Sequence, residues 1–129
     1  MSETAQKYVT ALDRRDWEGL AALLSEDVEY VVAQTGERVS GRANVVSFNR
    51  RFPGDWSLEL VRSVGDAGQT ALEMDFTDAG DTQRAVVWLE HPGGVIFHIT
   101  DYWPDPYDPP AFRADWPEIT RASLPKEAP

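Results

Sequence analysis

Apolar residues recur near the start of the chain with the three-to-four spacing of a helix, and from residue 55 onward with the every-second-residue spacing of strands. Ala5, Tyr8, Val9 and Leu12 form one apolar stripe with Ser2 or Thr4 placed to cap it, which predicts a first helix with Tyr8 turned inward. Asp13-Arg14-Arg15-Asp16 interrupts the stripe. Asp16 then caps a second short helix bearing Trp17, Leu20, Ala21 and Leu24, and two short helices in tandem predict a lid rather than a bundle. Val28, Tyr30 and Val32 share a face of a strand over 27–34, and Thr35-Gly36-Glu37 turns the chain back through 38–40. A third helix opens at Ser40 or Gly41, carries Val45, Phe48, Asn49 and Phe52 on one side, and stops at Pro53-Gly54.

Beyond Asp55, Trp56, Leu58 and Leu60 alternate with Ser57, Glu59 and Val61. After an Asp66-Ala67-Gly68 turn, Thr70, Leu72, Met74 and Phe76 alternate with Ala71, Glu73, Asp75 and Thr77, and Glu73 and Asp75 should look outward, toward solvent or a dimer partner. Residues 84–90 are apolar on both faces, as in a central strand; Trp88 there is open between a core and an interface role. A final strand runs over 94–103. Ile96, His98, Thr100 and Tyr102 share one of its faces, and Val95, Phe97, Ile99, Asp101 and Trp103 the other. The imidazole, hydroxyl and phenol among apolar neighbours predict that the His98 face is the inner wall of a small-molecule cavity. The prolines from Pro104 to Pro110 make the following segment extended. Its aromatics predict that 104–124 packs on the domain, with disorder expected only in 125–129.

At 129 residues and 42% hydrophobic, the chain suits one domain, taken as 1–129 with a core over 5–103. Its formal charge of −10 argues against nucleic acid and anionic membranes, both of which demand clustered Lys and Arg. The absence of cysteine removes disulfides and thiolate chemistry, and no apolar run or leader pattern is seen, so a cytoplasmic protein is expected.

Several segments carry a resemblance: 7–12, 16–24 followed by Glu26-Asp27-Val28, Ser40-Gly41-Arg42, and the last strand. Together they resemble the SnoaL-like and nuclear-transport-factor-2-like superfamily, which includes ketosteroid isomerase, scytalone dehydratase and limonene epoxide hydrolase. The resemblance implies an α+β fold: a cone-shaped, curved, mixed or antiparallel sheet with three helices from the N-terminal half enclosing a pocket. It also implies a homodimer through the outer sheet face. Expected ligand-binding residues are Tyr30, Val32, Phe48, Phe52, Trp56, Leu72, Met74, Phe76, Val87 and Thr100.

Matched to ketosteroid isomerase, its tyrosine falls on Tyr8, its base at or beside Val32 and its second acid at or beside Ala85. Neither carboxyl is present, so that reaction does not carry over. The Asp-Arg-Asp set of limonene epoxide hydrolases has no match. SnoaL-type cyclases use an Asp with a neighbouring His, for which this chain offers Asp101 and His98. A regular pleat sends those two to opposite faces, and only a β-bulge would unite them.

The expected catalytic set is therefore His98 as proton-transfer group, Tyr8 or Tyr102 as donor to a substrate oxygen, and Asp101, which could instead anchor the tail to Arg113. His91, before Pro92, is expected in solvent. Arg42, Arg50 and Arg51 read as a solvated face or as anion holders at the cavity mouth. No cofactor and no metal is called for, because two histidines and scattered aspartates do not make a ligand set. The function expected is an acid-base cyclase, isomerase, dehydratase or hydrolase on a small apolar or aromatic, polyketide- or terpenoid-like molecule. The alternative is a non-catalytic ligand-binding or dimerisation module.

Overall fold

A computed structural model describes residues 2–122. The disorder expected in 125–129 lies outside the described residues. Helix α1 spans Glu3–Asp13, and its Ser2 side chain accepts from the Ala5 amide, as the stripe and its cap predict. Helix α2 spans Trp17–Leu23, capped by Asp16 Oδ1 on the Gly19 amide at 2.9 Å. Leu24, expected as the last residue of that helix's stripe, is instead the first residue of β1 (Leu24–Val32) and is still buried. Then come β2 (Glu37–Ser40), α3 (Arg42–Arg50), β3 (Ser57–Gly65), β4 (Gln69–Asp78), β5 (Asp81–Glu90) and β6 (Ile96–Tyr102).

The strands form one six-stranded mixed sheet in the order β2-β1-β6-β5-β4-β3. Only β1 and β6 are parallel, and they join the N-terminal hairpin to the C-terminal meander. Two register shifts interrupt the ladders, one between Leu24 and Glu29 against β6 and one between Leu60 and Arg62 against β4. An extra residue on one strand of a pair bends it, which lets this open sheet curve around the helices. The core lies in the hollow, where Ala5, Tyr8, Val9 and Leu12 of α1 meet Val28, Tyr30, Met74, Val87 and Ile99 of the sheet. The architecture is the expected α+β cone.

The segment after Trp103 departs from expectation. Its root is tied down, since the Trp103 amide donates to Gln34 Oε1 at 2.8 Å and Gln83 Nε2 donates to Asp105 Oδ1 at 3.0 Å. Beyond it, Tyr107, Phe112, Trp116 and Ile119 are exposed, so the aromatic side chains of the tail do not close on the domain.

Candidate active site

The inner face of β6 is the opposite of the one expected. Ile99 and Asp101 are buried and Trp103 packs against the core, whereas His98, Thr100 and Tyr102 lie on the outer face with Glu90, Trp88 and Val86 of β5. His98 Nδ1 sits 3.3 Å from Glu90 Oε2, and Tyr102 is 44% exposed. Neither His98, Tyr102 nor Thr100 lines the hollow. Pairing from Glu29↔His98 to Val32↔Asp101 is unbroken, so no bulge lies between His98 and Asp101 and they stay on opposite faces. The irregularity comes before His98. Ile96 and Ile99, three apart, are both buried, and this half-step turns Asp101 inward in phase with the core.

Asp101 is the centre of the hollow. Only 2% exposed, it receives hydrogen bonds at Oδ2 from the Tyr30 hydroxyl and from Trp103 Nε1, the latter at 3.2 Å. Its Oδ1 is buried and finds no partner among the described residues. Burial pushes this carboxyl from its ordinary 3.8 up to about 6, against the lowering effect of the Tyr30 and Trp103 bonds. Tyr8 and Tyr30 are raised well above the usual phenol range, first by burial and then by the negative charge of Asp101. Both therefore stay protonated donors. Arg113 is not a partner of Asp101.

Around this carboxyl lies a cavity lined by Tyr8, Leu12, Tyr30, Asn49, Phe52, Trp56, Leu58, Met74, Phe76 and Trp103. Its free volume is about 30 Å³, room for one or two waters. Phe76 stacks on Trp56 (5.7 Å between ring centres) and meets Trp103 edge-on at 5.6 Å, so the aromatic wall is continuous with the Asp101 partners. Of the residues expected to bind ligand, Tyr30, Phe52, Trp56, Met74 and Phe76 line this space. Leu72 and Val87 are fully packed core, and Val32 and Phe48 pack at its margin instead. Leu12, Asn49, Leu58 and Trp103 are additional. Asn49 belongs to the side of the third helix that the apolar pattern had singled out; Trp103 was hidden by the wrong choice of face.

Asp101 pairs across the ladder with Val32, the position where the isomerase base was sought and no carboxyl found. The acid is thus supplied from the neighbouring strand. His91, expected in solvent, is 3% exposed and shares a 2.8 Å hydrogen bond with the Thr70 hydroxyl. Its backbone amide donates to the Gly68 carbonyl at 2.8 Å, and Thr70 of β4 in turn bonds the Ser2 hydroxyl that caps α1, so His91 is held between the 66–68 turn and the start of that helix. Among the described residues no group of three His, Asp or Glu side chains is placed to hold a metal ion.

The SnoaL-like domain model matches residues 5–102, and the chain belongs to that family. A crystal structure of a candidate ketosteroid isomerase from Kribbella flavida DSM 17836 is 38% identical and superposes with a TM-score of 0.88, covering 97% of this chain and 91% of that one. An NTF-2 like protein of unknown function from Burkholderia xenovorans LB400 is 24% identical (TM-score 0.77, 94% of both chains). A candidate polyketide cyclase from Xanthomonas campestris pv. campestris is also 24% identical, with a TM-score of 0.66 over 78% of this chain and 87% of that one. No curated protein matches the sequence. Among the described residues no helix is long and apolar enough to cross a membrane.

Proposed function

We propose that this protein is a cofactor-independent acid-base enzyme of the isomerase, lyase or hydrolase type, working in the cytoplasm on a compact, largely apolar or aromatic molecule. Asp101 is its proton-transfer group. The observation that carries this reading is the buried carboxyl with one oxygen, Oδ1, left without a partner beside an aromatic cavity. Such a group, titrating near 6, exchanges protons at neutral pH with little driving force lost in either direction. Tyr30 and Trp103 hold Oδ2 and so aim Oδ1, while Tyr8, on the opposite wall, donates to an oxygen that gains charge during the reaction. The ketosteroid isomerase name carried by the 38% identical relative supports chemistry of this kind.

The free space is far smaller than a polyketide or terpenoid, so a substrate of that class enters by displacing Phe52, which is 43% exposed at its edge. The same small volume favours the second reading, a binding module without turnover. The protein pairs with a second copy through the outer sheet face, where Val64, Ala71, Trp88 and Thr100 form one row across four strands.

Deuterium exchange from heavy water into small cyclic enones, followed by NMR, tests the assignment. The parent should exchange with a pH midpoint near 6, and Asp101→Asn should lose about a hundredfold or more. His98→Ala should be unaffected, because its ring lies on the far side of the sheet. Ligands that bind parent and Asp101→Asn alike without exchange would instead establish the binding module.

A further inference from the structure

Most of the side-chain nitrogen and oxygen atoms on the cavity wall are already used within the protein. The Tyr30 hydroxyl and Trp103 Nε1 donate to Asp101 Oδ2, and Trp56 Nε1 donates to the Phe52 carbonyl at 3.4 Å. Three atoms remain without a partner among the described residues: the Tyr8 hydroxyl, Asp101 Oδ1 and Asn49 Oδ1. They come from three different walls, formed by α1, β6 and α3. Tyr8 and Asp101 already have roles in the proton transfer proposed above; Asn49 has none.

Folding alone gives little reason for an asparagine at this position. Asn49 lies on the side of α3 that carries Val45 and Phe48 into the core, where leucine would pack better and favour the helix. Its Nδ2 donates to the Val45 carbonyl, one turn back, at 2.9 Å. A carbonyl only accepts, so the amide cannot turn over without losing that bond, and Oδ1 is the end held away from the helix backbone. The helix therefore presents an acceptor to the hollow. Phe52, three residues on, lines the same space, so a molecule that enters by displacing Phe52 passes Asn49. No Lys, Arg or His lines the cavity, and the three open atoms suit an uncharged molecule.

We propose that Asn49 is a specificity-determining residue and that the substrate is a carbonyl compound bearing a hydroxyl group. Its carbonyl oxygen accepts from Tyr8, its hydroxyl donates to Asn49 Oδ1, and the carbon beside the carbonyl faces Asp101 Oδ1. The assignment of the carbonyl end rests on the acid-base reading of Asp101. Asp101 takes the proton from that carbon, the C–H electron pair forms a C=C bond, and the C=O pair moves to the oxygen held by Tyr8; the proton then returns from Asp101 to carbon. Asn49 has no proton to exchange in this cycle, so its effect falls on which molecules bind. A ligand without a donor leaves Oδ1 against apolar surface, and the site discriminates against it for that reason.

NMR titration of the parent protein with a cyclohexenone bearing a ring hydroxyl, with its methyl ether and with plain cyclohexenone tests the contact. The hydroxyl compound should bind about tenfold more tightly than the other two, because the ether keeps the oxygen but has no proton to donate. In Asn49→Leu the three should bind alike. A merely structural role for Asn49 would shift all three affinities together and leave their order intact. Equal binding of hydroxyl compound and ether by the parent would overturn the proposal without any variant, and a preference that survives Asn49→Leu would overturn the assignment to Asn49. Deuterium exchange into the same compounds separates this result from the acid-base reading. Exchange without a preference for the hydroxyl keeps that reading and overturns the Asn49 contact; a preference abolished by Asn49→Leu, with no exchange into any of the three, keeps the contact and overturns that reading.

Discussion

Asp101 pairs a group that function favours with a position that folding does not. Its carboxyl titrates at about 6 in the folded chain and near 3.8 when exposed, so the folded state holds the proton more tightly. The sign follows: the stabilisation from protonation is complete below about pH 4 and is lost as pH rises through 6. A gap of about two pH units between the folded and the exposed carboxyl corresponds to about 3 kcal/mol at neutral pH. Asp101→Asn abolishes the titration. Relative to the parent, its stability should therefore gain roughly 2–3 kcal/mol between pH 4 and pH 8, read from urea unfolding at the two values. A difference that does not change with pH would mean that the carboxyl does not titrate high. Tyr30→Phe, which removes a bond that lowers the carboxyl, should move the titration further up. His98 illustrates the opposite case: its residue type suited catalysis, but with Glu90 for a neighbour on the outer face it has no substrate to reach.

Among elements, β6 and the corner between α1 and α2 set the geometry of the cavity. The alternation along β6 was legible from residue types, but both of its faces carry apolar and polar groups, so periodicity could not say which one was inside. A single register irregularity before His98 decided it. At the corner, Arg15 stacks its guanidinium 3.4 Å from the centre of the Trp56 ring and donates to the Trp56 carbonyl at 2.6 Å and to the Asp13 carbonyl at 2.8 Å. Asp13 Oδ1 in turn accepts from the Leu58 amide at 2.9 Å. These contacts fix the start of β3, and with it the Trp56 wall, to the helices. They require Arg15 to adopt a left-handed backbone, with φ at 54°. Arg15→Ala should cost about 1–2 kcal/mol through the lost contacts. Arg15→Gly should lose about 1 kcal/mol less, because glycine accepts that backbone freely. Equal losses in urea denaturation would show that the backbone there is not under strain. In the sequence, Asp13-Arg14-Arg15-Asp16 read only as a break between helices, since a contact with a residue 41 positions away leaves no local signal.

For the whole molecule, the outer sheet face combines a charged ladder with the apolar row. Arg62, Glu73, Arg84 and Asp75 are linked by ion pairs of 2.6–2.7 Å across β3, β4 and β5, so Glu73 and Asp75 look outward as expected but are already neutralised. A partner packed on this face meets paired charges beside Trp88. A dimer formed there links folding to concentration: the melting temperature of the parent should rise on going from micromolar to hundreds of micromolar protein, and that of Trp88→Lys should stay constant. A parent whose melting temperature does not depend on concentration would argue for a monomer.

The sequence by itself determined the order and type of the elements, the inward turn of Tyr8 and the outward turn of Glu73 and Asp75; the α+β cone came from its resemblance to the SnoaL-like family. Helical and strand periodicities are local, and caps, prolines and glycines mark their ends. Matching to the family's catalytic patterns brought Asp101 and Tyr8 into the candidate set. Only the tertiary structure decided which face of β6 is inside, that Asp101 rather than His98 holds the hollow, that the carboxyl missing at Val32 arrives from the strand beside it, and that the large side chains of the tail stay exposed. Each of these depends on strand register or on long-range packing, and a one-residue change of phase exchanges the two faces of a strand while leaving its pattern of residue types the same.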